Sequence, residues 1–193
     1  MNVNIKRLSA DATTPTYAHS TDACFDLYAA EDVIIEPGET KLVPTGLAFE
    51  IPAGYEMQIR PRSGITLKTN LRVQLGTVDS GYAGEVGVIV DNIALPSIYV
   101  NKDFMTLGLE FGYRPLRIDG FRYDDEFDEQ EHTYSIRKGD RIAQAVIKPV
   151  EQATFTVADS LEDTERGSGG FGSSGVGKAR TEYFDEQTGK ERL

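Results

Sequence analysis

DVIIEPGETKLVPTGLAFEIPAGYEMQIRP, residues Asp32 to Pro61, decides the fold. Its apolar residues fall into three short stretches separated by Pro-Gly-Glu and Pro-Ala-Gly. Proline presets φ and glycine supplies positive φ, so both separators are turns and the stretches between them are strands. Outward from there the pattern continues. LRVQLGTVDSGYAGEVGVIV (Leu71 to Val90) alternates around a Ser-Gly-Tyr-Ala-Gly centre, the pattern of a hairpin. IAQAVIKPV (Ile142 to Val150) is another strand, entered through the turn Lys138-Gly139-Asp140. No segment before residue 150 offers a long helical stripe with caps. Many short strands at this spacing predict an all-β domain: a sandwich, jelly roll or barrel.

The chain has 193 residues, enough for one domain with a real core and cramped for two. It carries 31 acidic against 20 basic side chains, a net charge of −11. That balance argues against sequence-independent binding to nucleic acid, which lives on neutralising phosphates with Lys and Arg. A small anion held by a few arginines remains open. The single cysteine, Cys24, rules out an internal disulfide and fits a reducing cytosol. The N-terminus MNVNIKRLSAD has no apolar core of a signal peptide and no run reaches membrane length, so the expectation is a soluble, cytoplasmic protein.

Two regions depart from the strand pattern. Residues 96–134 form a long, aromatic-rich segment that ends near the acidic run DDEFDEQE (Asp124 to Glu131). From Glu162 the chain becomes Gly/Ser-rich and then charged, as a mobile arm would. The expected organisation is an all-β domain over 1–161, with an insert at about 96–134, and a C-terminal arm and tail over 162–193.

Several motifs carry side chains with chemistry to offer. In RPRSGI (Arg60 to Ile65) a strand ends at a proline, and Arg62, Ser63 and Gly64 follow. A guanidinium, a hydroxyl and unobstructed N–H groups at one turn can hold a phosphate. GTVDSGYAGE (Gly76 to Glu85) puts Asp79 near the hairpin tip; there it either accepts turn N–H bonds or acts as general base toward a water. KGDRIAQ adds Arg141 in a turn and Gln144 on a strand. GSSGVGK (Gly172 to Lys178) has P-loop spacing but is followed by Ala179, not by the Ser or Thr that would hold magnesium. DDEFDEQEH lacks the central glycine of a calcium loop and reads as a solvated acidic loop. His19 and His132 read as ordinary surface residues and Cys24 as a small buried one. RGSGGFGSSG (Arg166 to Gly175) has a linker's composition, yet contains one cation and one aromatic ring that a spacer does not need.

Taken in order, TDACFDLYAAED (Thr21 to Asp32), RPRSGI, GTVDSGYAGE, KGDRIAQ and RGSGGFGSSG resemble the trimeric dUTPase family. Each piece alone is unspecific; five in this order are not. The resemblance spans the chain except for the segment at about 96–134 and the tail after Gly175. It implies a distorted β jelly roll, a homotrimer with active sites shared between subunits, and magnesium-assisted hydrolysis of dUTP to dUMP and pyrophosphate. That reaction keeps uracil out of DNA and supplies dUMP for dTMP synthesis.

The resemblance also assigns roles. Asp79 would activate the attacking water, and Tyr82 would pack on the deoxyribose and exclude a 2′-hydroxyl. Val73, Gly76, Thr77, Val78 and Gly87 would frame a uracil pocket. Arg62, Ser63, Gly64 and Gln144 would hold phosphates, and Asp26 would approach the Mg2+ through a water. Arg166 would meet the γ-phosphate and Phe171 would lie over the base. Gly172, Ser173 and Ser174 would donate to the nucleotide, making the arm a lid over another subunit's site.

Two departures stand out. Cys24 occupies a place where the family usually carries glycine, and the segment between the third and fourth motifs is long. Extra segments there are familiar in phage-encoded dUTPases, which implies a phage or prophage origin and a host cytoplasm. That segment has two readings, packing against its own barrel or docking a protein partner, and both place it outside the chemistry. A dCTP deaminase, which shares the fold and the Arg-Ser turn, is the rival enzyme; it would not need the lid.

Overall fold

Proline and glycine set the corners. In Glu36-Pro37-Gly38-Glu39 the Glu39 N–H donates to the Glu36 carbonyl at 3.1 Å with Gly38 at φ 80°. Pro52 to Tyr55 repeats the device, with Gly54 at φ 81°. Both place the glycine where a type II turn requires positive φ. The structure, a computed structural model, describes residues 1–95, 116–121, 131–170 and 173.

The strands are β1 (Asn4–Arg7), β2 (Phe25–Tyr28), β3 (Val33–Ile35), β4 (Thr40–Pro44), β5 (Leu47–Glu50) and β6 (Tyr55–Arg60). After a short helix, α1 (Ser63–Lys68), come β7 (Leu71–Val73), β8 (Gly76–Asp79), β9 (Gly87–Asn92), β10 (Tyr134–Ile136) and β11 (Arg141–Pro149). Every ladder between them is antiparallel. The sheets are β2-β11-β6-β8, β4-β9-β7, β1-β5 and β10-β3. Strands far apart in sequence lie side by side, as in a jelly roll. The fold is all-β, as the turn spacing predicts.

One apolar cluster fills the interior. Leu27, Ile35, Val43, Leu47, Met57, Val88, Ala143 and Ala145 are completely shielded, contributed by seven different strands. Burying a side chain the size of Leu27 or Met57 is worth about 1.5–3 kcal/mol, so these positions anchor the barrel. The buried Asn92 is fully used: its Nδ2 donates to the carbonyls of Ile35 and His132, and its Oδ1 accepts from Ala94.

Three local expectations change. The middle apolar stretch of Asp32–Pro61 is two strands, because Gly46 at φ 67° turns the chain from the β4-β9-β7 sheet to β1-β5. Leu71–Val90 is not one closed hairpin. β9 pairs with β7, while β8 leaves to pair with β6, from Glu56 opposite Asp79 to Ile59 opposite Gly76. The Arg-Ser-Gly turn opens α1, a helix too short to show a periodic stripe. Only its Ile65 is buried, and Thr69 closes it with two hydrogen bonds to the Ile65 carbonyl.

At the end of the long segment, Thr133 and Tyr134 are buried barrel residues, and the Tyr134 hydroxyl accepts the Asn70 N–H. The strand expected over residues 105–113 and the first seven residues of the acidic run lie outside the described residues, as do Phe171, Gly172 and Ser174.

The chain divides into two units, Met1–Gln152 and Ala153–Leu193. The described part of the second has no strand or helix, only tight turns such as Thr164–Gly167 and Arg166–Gly169. Among the described residues, no helix is long and apolar enough to cross a membrane.

Candidate active site

β11 runs between β2 and β6 with Gln144 opposite both Asp26 and Arg60. That register brings Asp26 and Gln144 to the edge where β6 ends and α1 begins. Asp26 is buried, and each carboxylate oxygen meets a different arginine: Oδ1 lies 3.2 Å from Arg62 Nε and Oδ2 3.3 Å from Arg141 Nη1. Arg62 also donates from Nη1 to the Arg141 carbonyl at 2.8 Å, and Gln144 donates from Nε2 to the Pro61 carbonyl at 2.8 Å. These bonds tie the end of β6 to β11.

A cavity of about 480 Å3 opens over this cluster, lined by Asp26, Arg62, Ser63, Gly64, Arg141 and Gln144, with His19, Asp22 and Cys24 on its other side. Two guanidinium groups meet Asp26 and keep further N–H donors, while a second carboxylate, Asp22, also lines the cavity. Ser63 and Gly64 start α1, so their N–H groups have no partner within the helix. A Cβ at Gly64 would touch nothing within 4 Å, so the approach to the backbone is open. Such donors can hold an anion with several oxygens.

The second group of predicted residues lies on β7, β8 and β9. Val73 and Val78 bury their side chains in the core, so only their backbones can serve a ligand. A Cβ at Gly87 would stand 2.6 Å from Leu42 Cδ1, so a larger residue there would have to push the exposed Leu42 side chain aside. Asp79 and Thr77 are exposed, and the Tyr82 N–H donates to the Asp79 carbonyl at 3.0 Å. The Tyr82 hydroxyl donates to the Glu85 carbonyl at 2.8 Å, which fixes an exposed ring beside Asp79.

None of these hairpin residues lines the cavity around Asp26. Asp79 sits opposite Glu56, and Gln144 opposite Arg60. Four residues along β6 amount to about 13 Å, and β8 and β11 flank β6 on opposite sides, about 10 Å apart. One chain therefore presents a phosphate-type site and a hairpin site that are separate. In the arm, Arg166 Nε donates to the Gly169 carbonyl at 2.8 Å, and Ser173 N–H to the Gly170 carbonyl at 3.0 Å.

The family described as dUTPase matches residues 10–104 and 127–175. The chain belongs to the dUTPase family. All five motifs fall inside the matched ranges, and residues 105–126 and the tail after 175 fall outside them. Curated relatives agree. The deoxyuridine 5'-triphosphate nucleotidohydrolase of Nautilia profundicola is 42% identical over 91% of this chain and 99% of its own. Among solved structures, the Staphylococcus bacteriophage 80alpha dUTPase with dUPNHPP is 35% identical with a TM-score of 0.79, covering 91% and 99%. The dUTPase from phage phi11 of S. aureus, which has a species-specific insert, is 31% identical with a TM-score of 0.74, covering 85% and 100%. A mutant of the phi11 enzyme coordinates a structural Mg(II) ion. The neighbours thus include phage enzymes.

This dUTPase also shows what sequence reasoning missed. The sequence marks Arg141 only as a turn residue, yet it is the second guanidinium on Asp26. Cys24, read as buried, is half-exposed and lines the cavity. His19 is the surface residue the sequence suggests, 79% exposed, and it stands at the cavity rim with Nδ1 3.2 Å from Asp22 Oδ2. Turn and strand patterns gave no signal for Arg141 or Cys24, because their roles arise from contacts between distant segments.

Proposed function

We propose that this dUTPase hydrolyses dUTP to dUMP and pyrophosphate at sites assembled from more than one subunit of a homotrimer. The observation that carries the reading is the cavity over Asp26, with Arg62, Arg141, Ser63, Gly64 and Gln144 converging on one anion-sized space. Those residues hold the triphosphate. Asp79 of a hairpin from another subunit takes a proton from water as its oxygen attacks the α-phosphorus in line. The bond from that phosphorus to the bridging oxygen breaks, and pyrophosphate leaves with the electron pair.

Phosphoryl chemistry of this kind is limited by charge and placement, which is what fixed arginines supply. The hairpin backbone at Val73, Gly76, Thr77, Val78 and Gly87 pairs with the uracil edge. Tyr82, held by its bond to Glu85, fills the space a 2′-hydroxyl would need. From the arm, Arg166 meets the γ-phosphate, Phe171 covers the base, and Gly172, Ser173 and Ser174 donate to the nucleotide.

Among the described residues no three His, Cys, Asp or Glu side chains gather as a metal cluster. Asp26 has both oxygens engaged by arginine. Mg2+ keeps several waters and is held largely by substrate phosphates, so it would need only an outer contact from this chain. Asp26 would contact it through water, and when bound the ion would neutralise phosphate charge.

The test is a panel of dUTP, dTTP, dCTP and UTP scored for pyrophosphate release. The expected result is strong preference for dUTP. Equal turnover of dUTP and UTP would remove the role given to Tyr82, and ammonia release from dCTP without pyrophosphate would overturn the reaction.

A further inference from the structure

Residues 116–121 belong to the stretch that the family match leaves out. The sequence places that stretch away from the chemistry; the structure does not. Leu116 runs parallel to Tyr134, donating to the Thr133 carbonyl at 2.7 Å and accepting from the Ser135 N–H at 2.9 Å. The chain then closes on itself: Arg117 N–H donates to the Phe121 carbonyl at 2.6 Å, and Gly120 N–H to the Arg117 carbonyl at 2.9 Å. Gly120, at φ 87°, brings this turn so close to α1 that a Cβ there would stand 3.1 Å from the Lys68 carbonyl oxygen. Ile118 packs against the core.

Ile118 and Asp119 form one wall of a second cavity, of about 360 Å3. Its other walls include Lys68 at the end of α1 and Asp140, together with Arg62, Gly64 and Arg141, which also line the phosphate cavity. The segment therefore abuts the elements that carry both phosphate arginines. Asp140 shows the same proximity: burial raises its pKa, the charge of Arg117 lowers it, and that of Asp119 raises it. α1 needs such a support, since Ile65 is its only buried residue.

We infer that residues 116–121 are a positioning element of the phosphate site, bracing the end of α1 and the Arg137–Arg141 turn so that Arg62 and Arg141 stand where a triphosphate meets them. Ile118 and Gly120 act through Lys68 and the turn and touch no substrate. The inference rests on the reading of the Asp26 cavity as the phosphate site. Small displacements of a binding group are costly in rate and affinity, so loss of the brace weakens triphosphate binding more than it slows the chemical step.

The test uses the full chain carrying Ile118→Ala, Gly120→Ala or Ile118→Leu, with thermal melts to establish folding. Ile118→Ala and Gly120→Ala are expected to raise KM for dUTP about fivefold with kcat within about twofold. Inhibition by pyrophosphate, which reports the phosphate site alone, weakens in step. Inhibition by deoxyuridine, which reports the hairpin, stays unchanged, and Ile118→Leu restores KM. Unchanged KM and pyrophosphate inhibition in folded variants overturn the inference, as does an equal weakening of deoxyuridine. If Ile118→Ala does not fold, Gly120→Ala and Ile118→Leu are read alone by the same criteria. Failure of the wild-type chain to hydrolyse dUTP strikes the proposed function instead.

Discussion

Asp26 and Asp79 are both aspartates of the dUTPase motifs, and their surroundings divide the labour between them. Asp26 is buried between two guanidinium groups, so its charge is spent on holding Arg62 and Arg141 in place. Asp79 is exposed and, among the described residues, makes no ion pair, which leaves its carboxylate open for the role proposed for it. Asp79→Asn keeps the shape and removes the proposed base. It should bind dUTP with near-normal affinity and lose turnover by about 10²–10⁴-fold, measured as kcat against a binding titration. Turnover near wild type would reduce Asp79 to a turn residue. Asp140 has a different consequence. Burial raises its pKa above the ordinary carboxylate value, outweighing its bond from the Arg137 N–H at 2.8 Å. A carboxyl raised in the folded state contributes most below its unfolded pKa, and that contribution is lost as pH rises through the folded pKa. Asp140→Asn keeps an acceptor without a charge to bury. Its Tm relative to wild type should therefore rise between about pH 3 and about pH 7. A flat difference across that range would mean that the carboxylate is not penalised.

Glycine and proline made the elements legible, and the same residues explain where legibility ended. The turns at Gly38 and Gly54 could be read because Pro and Gly stand at the positions their φ values require. Gly46 carries the same φ signature but follows Pro-Thr without an obvious turn pair, so the switch between sheets went unread. β8 looked like half of a hairpin because alternation fixes which face a strand presents and says nothing about its partner. α1 escaped because six residues make less than two turns. Gly46 is also the corner on which the β8–β9 connection hangs. Its N–H donates to Glu85 Oε1 at 2.7 Å, and the neighbouring Thr45 hydroxyl donates to the Val86 carbonyl at 2.5 Å. A Cβ at Gly46 would lie 2.8 Å from Ala12 Cβ, in a conformation that already disfavours side chains. Gly46→Ala should cost about 2 kcal/mol or more of stability by chemical denaturation. It should also raise KM for dUTP, because the corner and the hairpin move together. A stable variant with unchanged KM would separate the two.

At the scale of the whole molecule, one chain is visibly incomplete. Leu42 and Ile89, cross-strand partners on β4 and β9, are 64% and 47% exposed, and Leu75 is 79% exposed next to Gln74, whose N–H donates to the Ile89 carbonyl at 3.0 Å. In the second unit Phe155 and Val157 are 92% and 100% exposed. Apolar side chains grouped this way mark surfaces that another chain covers. The five motifs were readable because each is local, but their division between two separate places on one chain emerges only from the sheet register. That division makes a mixing experiment decisive. A chain with Asp79→Asn and a chain truncated before Arg166 should each be nearly inactive, while both fold, because the arm adds little to the core. If Asp79 and the arm reach each site from different subunits, equal random mixing leaves about a quarter of sites with both intact, as expected for a heterologous interface in a closed ring. Recovery of pyrophosphate release toward that fraction, after exchange verified by mass, is the expected outcome. No recovery in verified mixed oligomers would place Asp79 and the arm of one site on the same subunit.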